Sequence, residues 1–397
     1  MILNFHDNNE YRNFGAYSLL GLTFVLFIPI LDGWNFFYGH IFFILWVTTS
    51  FLLGVSREKN CTILLVLFLI GLFLSLALYH VLEYGIDHRF IQDSFKFDLL
   101  VIVVLILSTN SSLSVLLYFL KVYIYTFPFV FSGYFFLIKD DDFFQYSGRL
   151  YDPLFGSPNT AAVFCGLSIL YIFCFFKRIG WFFGFLLLVF YGGVFALSFS
   201  RAAALALIFS LVFIIRLKHI PIILIFLFFI VIPISLYVWT SFDFPAWVSE
   251  KANLISDLKE TGGSYRLQVW IESINTSFSS INMLLFGQGP GRVVTYLFGF
   301  KLIDHPHNFY LFLLLGYGVF ISIIFCFLWI IYLFIHMNRM FISENNRFFI
   351  AIFVFYSVAF LMDTHIMAGQ YFVAHSLFLS CILHRRHLSG GVLKLDF

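Results

Sequence analysis

The sequence predicts an all-α polytopic membrane protein with about twelve transmembrane helices. Of its 397 residues, 61% are hydrophobic and only 11% are charged, whereas a soluble domain averages about 25% charged residues. Its apolar residues also form long runs. This composition excludes a soluble globular enzyme, a disordered chain and a nucleic-acid-binding protein, which would need a basic patch. We therefore expect one integral membrane domain over residues 1–397, with membrane lipids as its surroundings.

Apolar runs mark the expected spans, because a spanning helix needs about 20 mostly apolar residues. The runs cover residues 15–31, 36–54, 61–79, 97–108, 113–133, 161–176, 181–198, 202–216, 220–240, 308–335, 348–363 and 370–383. The fourth run is short, and only the polar turn Ser108–Ser112 separates it from the fifth. These two runs are either separate spans or one re-entrant element.

Lysine and arginine in short loops set the orientation of the chain. With the N-terminus in the cytoplasm, the basic residues of the short loops fall inside at Arg57, Lys59, Lys177, Arg178, Arg216, Lys218, Arg339 and Arg347. Residues 80–96, 132–160 and 241–307 then lie outside, which is the periplasm of a Gram-negative host. The last of these segments is a large loop between spans nine and ten.

The large loop contains two stretches with helical spacing of apolar residues. The first face comprises Trp247, Leu254, Ile255 and Leu258, and the second comprises Leu267, Trp270, Ile271, Ile274 and Phe278. Gly262 and Gly263 separate the two stretches. Amphipathic helices of this kind lie on the membrane surface or pack on the mouth of a helical bundle.

A glycine-rich run, Leu285–Gly291, follows the second stretch. Glycine-rich loops cradle phosphates when they join a strand to a helix, but no strand is predicted here. A tight turn that brings the backbone close to the bundle is the better interpretation.

The loop ends with Asp304, His305, Pro306, His307 and Asn308, directly before span ten. These residue types could bind a metal ion, but the cysteines lie in apolar runs and complete no metal knuckle. They could also start a helix, with Asn308 near the cap. The third interpretation is a general base at the membrane surface, because histidine accepts protons near neutral pH.

Arg201 lies at the tip between spans seven and eight. An arginine at the end of a span often reaches toward lipid head groups. As a fixed cation with forked donors at the outer surface, it would also suit a lipid-linked phosphate or diphosphate.

Three motifs together resemble the O-antigen ligase/polymerase family of bacterial envelope glycosyltransferases. They are LSFSRAAALALIF around Arg201, GSYRLQVWIESI around Arg266 followed by LLFGQGPG, and HPHNFYLFLLLGYGVF around His307. His307, Asn308 and Gly318 match the ligase pattern of His-Asn, nine residues and Gly, whereas Ile321 departs from its continuation. GSPNTAAVF at 156–164 is a looser match, and the resemblance covers roughly residues 145–335.

The resemblance implies a GT-C-like membrane enzyme that uses a glycan on undecaprenyl diphosphate and needs no metal ion or other cofactor. Arg201 and Arg266 would hold the diphosphate, and His307 would take the proton from the attacking hydroxyl, with inversion at the anomeric carbon. Asn308, Arg149 and Arg292 are further candidates for substrate binding. The implied location is the bacterial inner (cytoplasmic) membrane, with the active site facing the periplasm.

The resemblance leaves the acceptor open. A polymerase would join a second lipid-linked repeat unit and could work with a chain-length regulator, whereas a ligase would use the lipid A core. The LLFGQGPG run and the phenylalanine-rich sequence favour a polymerase, and the His-x-His-Asn run favours a ligase. A lipid-linked glycan transporter is a rival of another class, but it would predict charges lining a path through the membrane.

Overall fold

A computed structural model of the chain describes residues 60–85, 97–98, 100–108, 113–137, 158–198, 200–214, 266–290, 296–298, 301–303, 306–340, 344–362 and 372–383. The predicted spans 15–31, 36–54 and 220–240 lie outside these residues. So does the first helical stretch of the large loop, from Trp247 to Leu258.

The described elements follow the predicted spans closely. The helices are α1 (Asn60–Tyr84), α2 (97–98 and 100–108), α3 (Leu113–Leu137), α4 (Pro158–Ile179), α5 (Trp181–Ser198), α6 (Arg201–Ile214), α7 (Arg266–Ser277), α8 (Ile281–Phe286), α9 (Phe309–Met340), α10 (Glu344–Met362) and α11 (Phe372–Ile382). An antiparallel pair of short strands, β1 (Tyr296–Phe298) and β2 (Lys301–Ile303), lies between α8 and α9.

The described residues are mainly helical, which is consistent with the predicted membrane protein. By length and composition alone, three helical stretches could cross a bilayer, namely Asn159–Ile179, Trp181–Ser198 and Phe309–Tyr332, the last of which contains the bend at Gly318 described below. Shorter apolar helices are Ile70–Tyr84, Arg201–Ile214 and Arg347–Leu361. The total of about twelve spans and the placement of the large loop in the periplasm stay predictions.

Helix α4 runs antiparallel to both α5 and α10. At one end, the ring of Phe175 lies 5.1 Å from that of Phe348. Toward the other end, a Cβ placed on Gly166 would lie 2.7 Å from the ring of Phe355 and 3.4 Å from that of Phe195. The small residue at 166 therefore lets α5 and α10 approach α4 closely, near the end where α5 stops at Ser198.

The broken helix α9 departs from the single span predicted over 308–335. Gly318 inside it has φ 78° and ψ −178°, which is not a helical conformation. The rings of Phe309 and Phe325 lie only 5.5 Å apart, although sixteen residues of straight helix would separate their Cα atoms by about 24 Å. The chain therefore bends sharply at Gly318, which divides α9 into a half-helix, 309–317, and a longer helix, 319–340.

The two strands were not expected, because no strand is predicted after the glycine-rich run. Their register pairs Phe298 with Lys301, and two residues, Gly299 and Phe300, separate these positions in the sequence. Glycine as the first of two residues between strand-like segments is a known hairpin signal. That signal is short and was hidden by the strong apolar pattern around it.

Candidate functional site at the His307 end of the bundle

The histidine loop, residues 306–308, leads directly into the half-helix 309–317. The Asn308 side chain caps this helix, because its Oδ1 accepts a hydrogen bond from the Leu311 N–H at 3.1 Å. Its Nδ2 donates to the Leu361 carbonyl at the end of α10, also at 3.1 Å. The predicted helix start at Asn308 is therefore confirmed. We call the end of the bundle where Asn308 meets Leu361 the His307 end.

His307 has an unusual backbone conformation. Its φ is +48°, and it is the one non-glycine residue with positive φ in the described part of the chain. Such a conformation is uncommon outside glycine and persists when the surroundings fix it. The residues on both sides are fixed: Asn308 by its cap and Pro306 by the contact described next. The backbone at His307 is thus held by its neighbours on a short, constrained turn.

Helix α7 joins Arg266 to the histidine loop. The Trp270 indole N–H donates to the Pro306 carbonyl, with Nε1 and O 2.8 Å apart. Arg266 precedes Trp270 by four residues, so the two side chains lie on neighbouring positions of the same helix face. The structure therefore brings the Arg-x-x-x-Trp motif and the histidine motif together, through a bond to the residue that precedes His307.

The glycine-rich run holds the break in α9. The backbone N–H groups of Gln288 and Gly289 donate to the Leu315 and Gly316 carbonyls at 2.8 and 3.0 Å. A helix that stops at Gly318 leaves its last carbonyls without helical partners, and an apolar environment makes such groups costly. The predicted tight turn close to the bundle is confirmed, and its function is to complete the hydrogen bonds of the broken helix.

Arg201 lies at the His307 end as well. Phe195 packs at the level of Gly166 and Phe355. From Phe195, α5 continues for three residues to Ser198, a rise of about 4.5 Å. From Phe355, α10 continues for six residues to Leu361, a rise of about 9 Å. The tip that carries Arg201 and the carbonyl that binds Asn308 therefore lie at one end of the bundle.

All three candidate catalytic residues lie at helix N-termini. Arg201 and Arg266 are the first residues of α6 and α7, and His307 immediately precedes the cap of the half-helix. The Ser200 hydroxyl accepts from the Ala203 N–H at 3.4 Å and so caps α6. Helix N-termini are positive ends of dipoles, so each arginine adds to a positive potential instead of neutralising one.

The electrostatic consequence is positive charge at this end of the bundle. Within the described residues, neither guanidinium forms an ion pair. Arg201 is exposed and Arg266 is half-buried. Two cations and backbone N–H groups at the same end of a bundle are the donors that phosphate and diphosphate groups need.

A half-buried carboxylate, Asp98, was missed at the sequence level. The Tyr317 hydroxyl donates to Asp98 Oδ1 at 2.9 Å, and the Phe97 ring lies 5.0 Å from the Tyr317 ring. This contact fixes the far end of the half-helix that His307 precedes. Asp98 is the acidic residue at the start of an apolar run, and that was the available signal.

The metal-binding interpretation finds no support in the described residues, where no group of three or more His, Cys, Asp or Glu side chains could hold an ion. His80 instead contacts the Phe286 carbonyl through Nε2 at 2.9 Å, which requires that nitrogen to donate. Asp304, His305, Arg149 and Arg292 lie outside the described residues.

Comparison with known proteins bears on the family of this part of the chain. Residues 186–326 match the family model described as O-Antigen ligase. The matched region is therefore similar to the O-antigen ligase family over about a third of the chain. It contains Arg201, Arg266, His307 and Gly318, so the resemblance to the ligase/polymerase family is confirmed. A search of curated proteins finds no significant match. The family and the apolar helices together indicate a membrane protein with activity of the O-antigen ligase or polymerase type on a lipid-linked glycan.

Proposed function

We propose that the protein is an O-antigen polymerase, which transfers a glycan from undecaprenyl diphosphate to a second lipid-linked repeat unit at the periplasmic face of the inner membrane. The single observation that carries this proposal is the hydrogen bond from Trp270 to Pro306 at 2.8 Å. It joins the helix that begins with Arg266 to the loop that carries His307, and both residues lie within the matched family region.

Stabilisation of the leaving group would come from the arginines. As the bond between the anomeric carbon and the phosphate oxygen breaks, negative charge accumulates on the departing diphosphate. Arg201 and Arg266, at the positive ends of α6 and α7, would stabilise that charge more in the transition state than in the bound donor. A fixed donor of this kind is worth about 3 to 4 kcal/mol.

Activation of the acceptor would fall to His307. A neutral imidazole would take the proton of the attacking hydroxyl as that oxygen bonds to the anomeric carbon from the face opposite the diphosphate. Attack from that face inverts the configuration. A positioned general base contributes about 10²- to 10⁴-fold to the rate, and the constrained turn around His307 would keep the base in one place.

A ligase that uses the lipid A core is the second candidate. The pattern His307-Asn308 with Gly318 ten residues later favours it, whereas the family match does not separate ligase from polymerase. The structure explains why a glycine stands at this position, since α9 bends at Gly318. The LLFGQGPG run that packs against the bend favours the polymerase.

Turnover by the purified protein tests the polymerase reaction. The full chain in proteoliposomes, supplied with undecaprenyl-diphosphate repeat units, should produce a ladder of longer glycans on the lipid. Protein with His307→Ala is the matched negative control. A ladder with wild type and none with the variant supports the proposal; no ladder from folded wild type would overturn the polymerase assignment.

The envelope glycan of a deletion strain separates the two acceptors. Loss of a polymerase leaves lipid A core capped by a single repeat unit. Loss of a ligase leaves bare core while lipid-linked polymer accumulates. The first pattern supports our proposal, and the second would replace it with the ligase.

A further inference from the structure

Helix α7 presents three different faces to its surroundings. The face buried against the protein carries small side chains four residues apart, namely Val269, Ser273 and Ser277. The next face carries large apolar side chains that are 50%, 42% and 63% exposed, namely Ile271, Ile274 and Phe278. The third face is polar and exposed, with Gln268, Glu272 and Asn275. A helix at the edge of a bilayer contacts protein, lipid and water in this way.

The exposed apolar face continues beyond α7. Ile281, at the start of α8, is 75% exposed. Helix α8 is attached to α1, because the Tyr84 hydroxyl donates to Met283 Sδ at 3.3 Å. On α1, Leu78 and Leu82 are 60% and 77% exposed. We call this surface, from Ile271 to Ile281 with Leu78 and Leu82, the apolar stripe.

We propose that the acyl chains of bilayer lipids cover the apolar stripe, so that α7 and α8 lie within the interface of the leaflet at the His307 end. The stripe includes Leu78 and Leu82 of α1, the apolar helix to which α8 is attached. Glu272 is the one charged residue between Arg266 and Arg292, and it lies on the polar face of α7. Apolar side chains can therefore enter the leaflet without carrying a charge with them.

This position sets the depth of Arg266. Since Arg266 begins the helix that lies in the interface, its guanidinium lies at the level of the lipid phosphates. On the function proposed above, a lipid-linked diphosphate donor would reach Arg266 without leaving its own leaflet. The site would then select substrates anchored in the membrane over water-soluble ones.

Photolabelling by lipid measures the depth directly. The full-length protein is reconstituted into vesicles of phosphatidylcholine that carries a diazirine on the upper part of one acyl chain. After illumination, adducts are located by peptide mass spectrometry. Phe320 and Phe327 of the longer part of α9, which are 57% and 62% exposed, serve as positive controls.

We expect adducts on Ile271, Ile274, Phe278 and Ile281, and none on the polar face of α7. Labelled Phe320 and Phe327 with an unlabelled stripe would overturn the inference and leave water or a protein as the neighbour of the stripe. The double substitution of Ile274→Gln with Phe278→Gln should reduce labelling and lower transfer several-fold, with Asn275→Ala as its control.

The labelling does not depend on turnover, so the two proposals can fail separately. A labelled stripe in a protein without transferase activity would refute the proposed function and support the interfacial helix. Active wild-type protein with an unlabelled stripe would refute the interfacial helix alone.

Discussion

The substitution Gly318→Ala tests the bend in α9. The glycine has φ 78° and ψ −178°, a region of backbone space that is essentially restricted to glycine. A Cβ at this position would collide with the Leu285 carbonyl and lie 2.6 Å from the Phe286 backbone nitrogen. These are backbone atoms, so no side-chain rotation relieves the contact.

The expected loss of stability is about 3 to 5 kcal/mol. The backbone strain alone costs about 1 to 3 kcal/mol. Moving α8 away from the added methyl group also breaks the bonds from Gln288 and Gly289 to the α9 carbonyls, each worth about 1 kcal/mol. Because those carbonyls then lack partners, the bend should loosen. The histidine loop, at the other end of the half-helix, should loosen with it.

The assay compares thermal unfolding in detergent with transfer of glycan in proteoliposomes. Gly71→Ala is the matched control, because a Cβ at Gly71 meets no atom within 4 Å and alanine is favoured within a helix. We expect Gly318→Ala to unfold at a clearly lower temperature and to lose most activity, with Gly71→Ala close to wild type. Equal behaviour of the two variants would refute the role assigned to the bend.

Four other substitutions or treatments have definite expected outcomes. Arg201→Lys should lower turnover about tenfold to hundredfold because the forked donor geometry is lost. Arg178→Lys, in the last turn of α4 and away from the His307 end, should not lower turnover. Equal rates for the two variants would contradict a diphosphate clamp. Trp270→Phe should cost about 1 kcal/mol of stability and reduce transfer more than Trp181→Phe, whose ring is 67% exposed; if both variants keep full activity, the link to the histidine loop is dispensable. Asn308→Ala should destabilise by about 2 kcal/mol because it removes both the cap and the bond donated to Leu361; an unfolding temperature equal to that of wild type would argue against the cap. Treatment with EDTA should leave transfer unchanged, and strong inhibition would restore the metal interpretation.

The sequence predicted those parts of the site that depend on local chemistry. Asn308 caps a helix because its short amide side chain accepts a backbone N–H, and this follows from its place before an apolar run. The glycine-rich run was predicted to approach the bundle. A Cβ added to Gly287 would lie only 2.6 Å from the Leu315 carbonyl oxygen, so the two backbones do approach closely.

Features that depend on the direction of the chain or of a side chain could not be predicted in the same way. Hydropathy reports how long an apolar run is, and the run over 308–335 is long enough to span. It does not report that the chain turns at Gly318, although two glycines within three residues, Gly316 and Gly318, were a visible sign. Likewise, periodicity placed Trp270 on the apolar face of α7, whereas its indole lies at the edge of that face and binds the Pro306 carbonyl.

The central claim is that the residues at the His307 end perform glycosyl transfer with divided roles. Single-turnover transfer from bound undecaprenyl-diphosphate glycan, measured together with donor binding, tests this claim most directly. We predict that His307→Ala binds the donor as wild type does and transfers it about 10²- to 10⁴-fold more slowly. Transfer by folded His307→Ala at the wild-type rate would contradict the account.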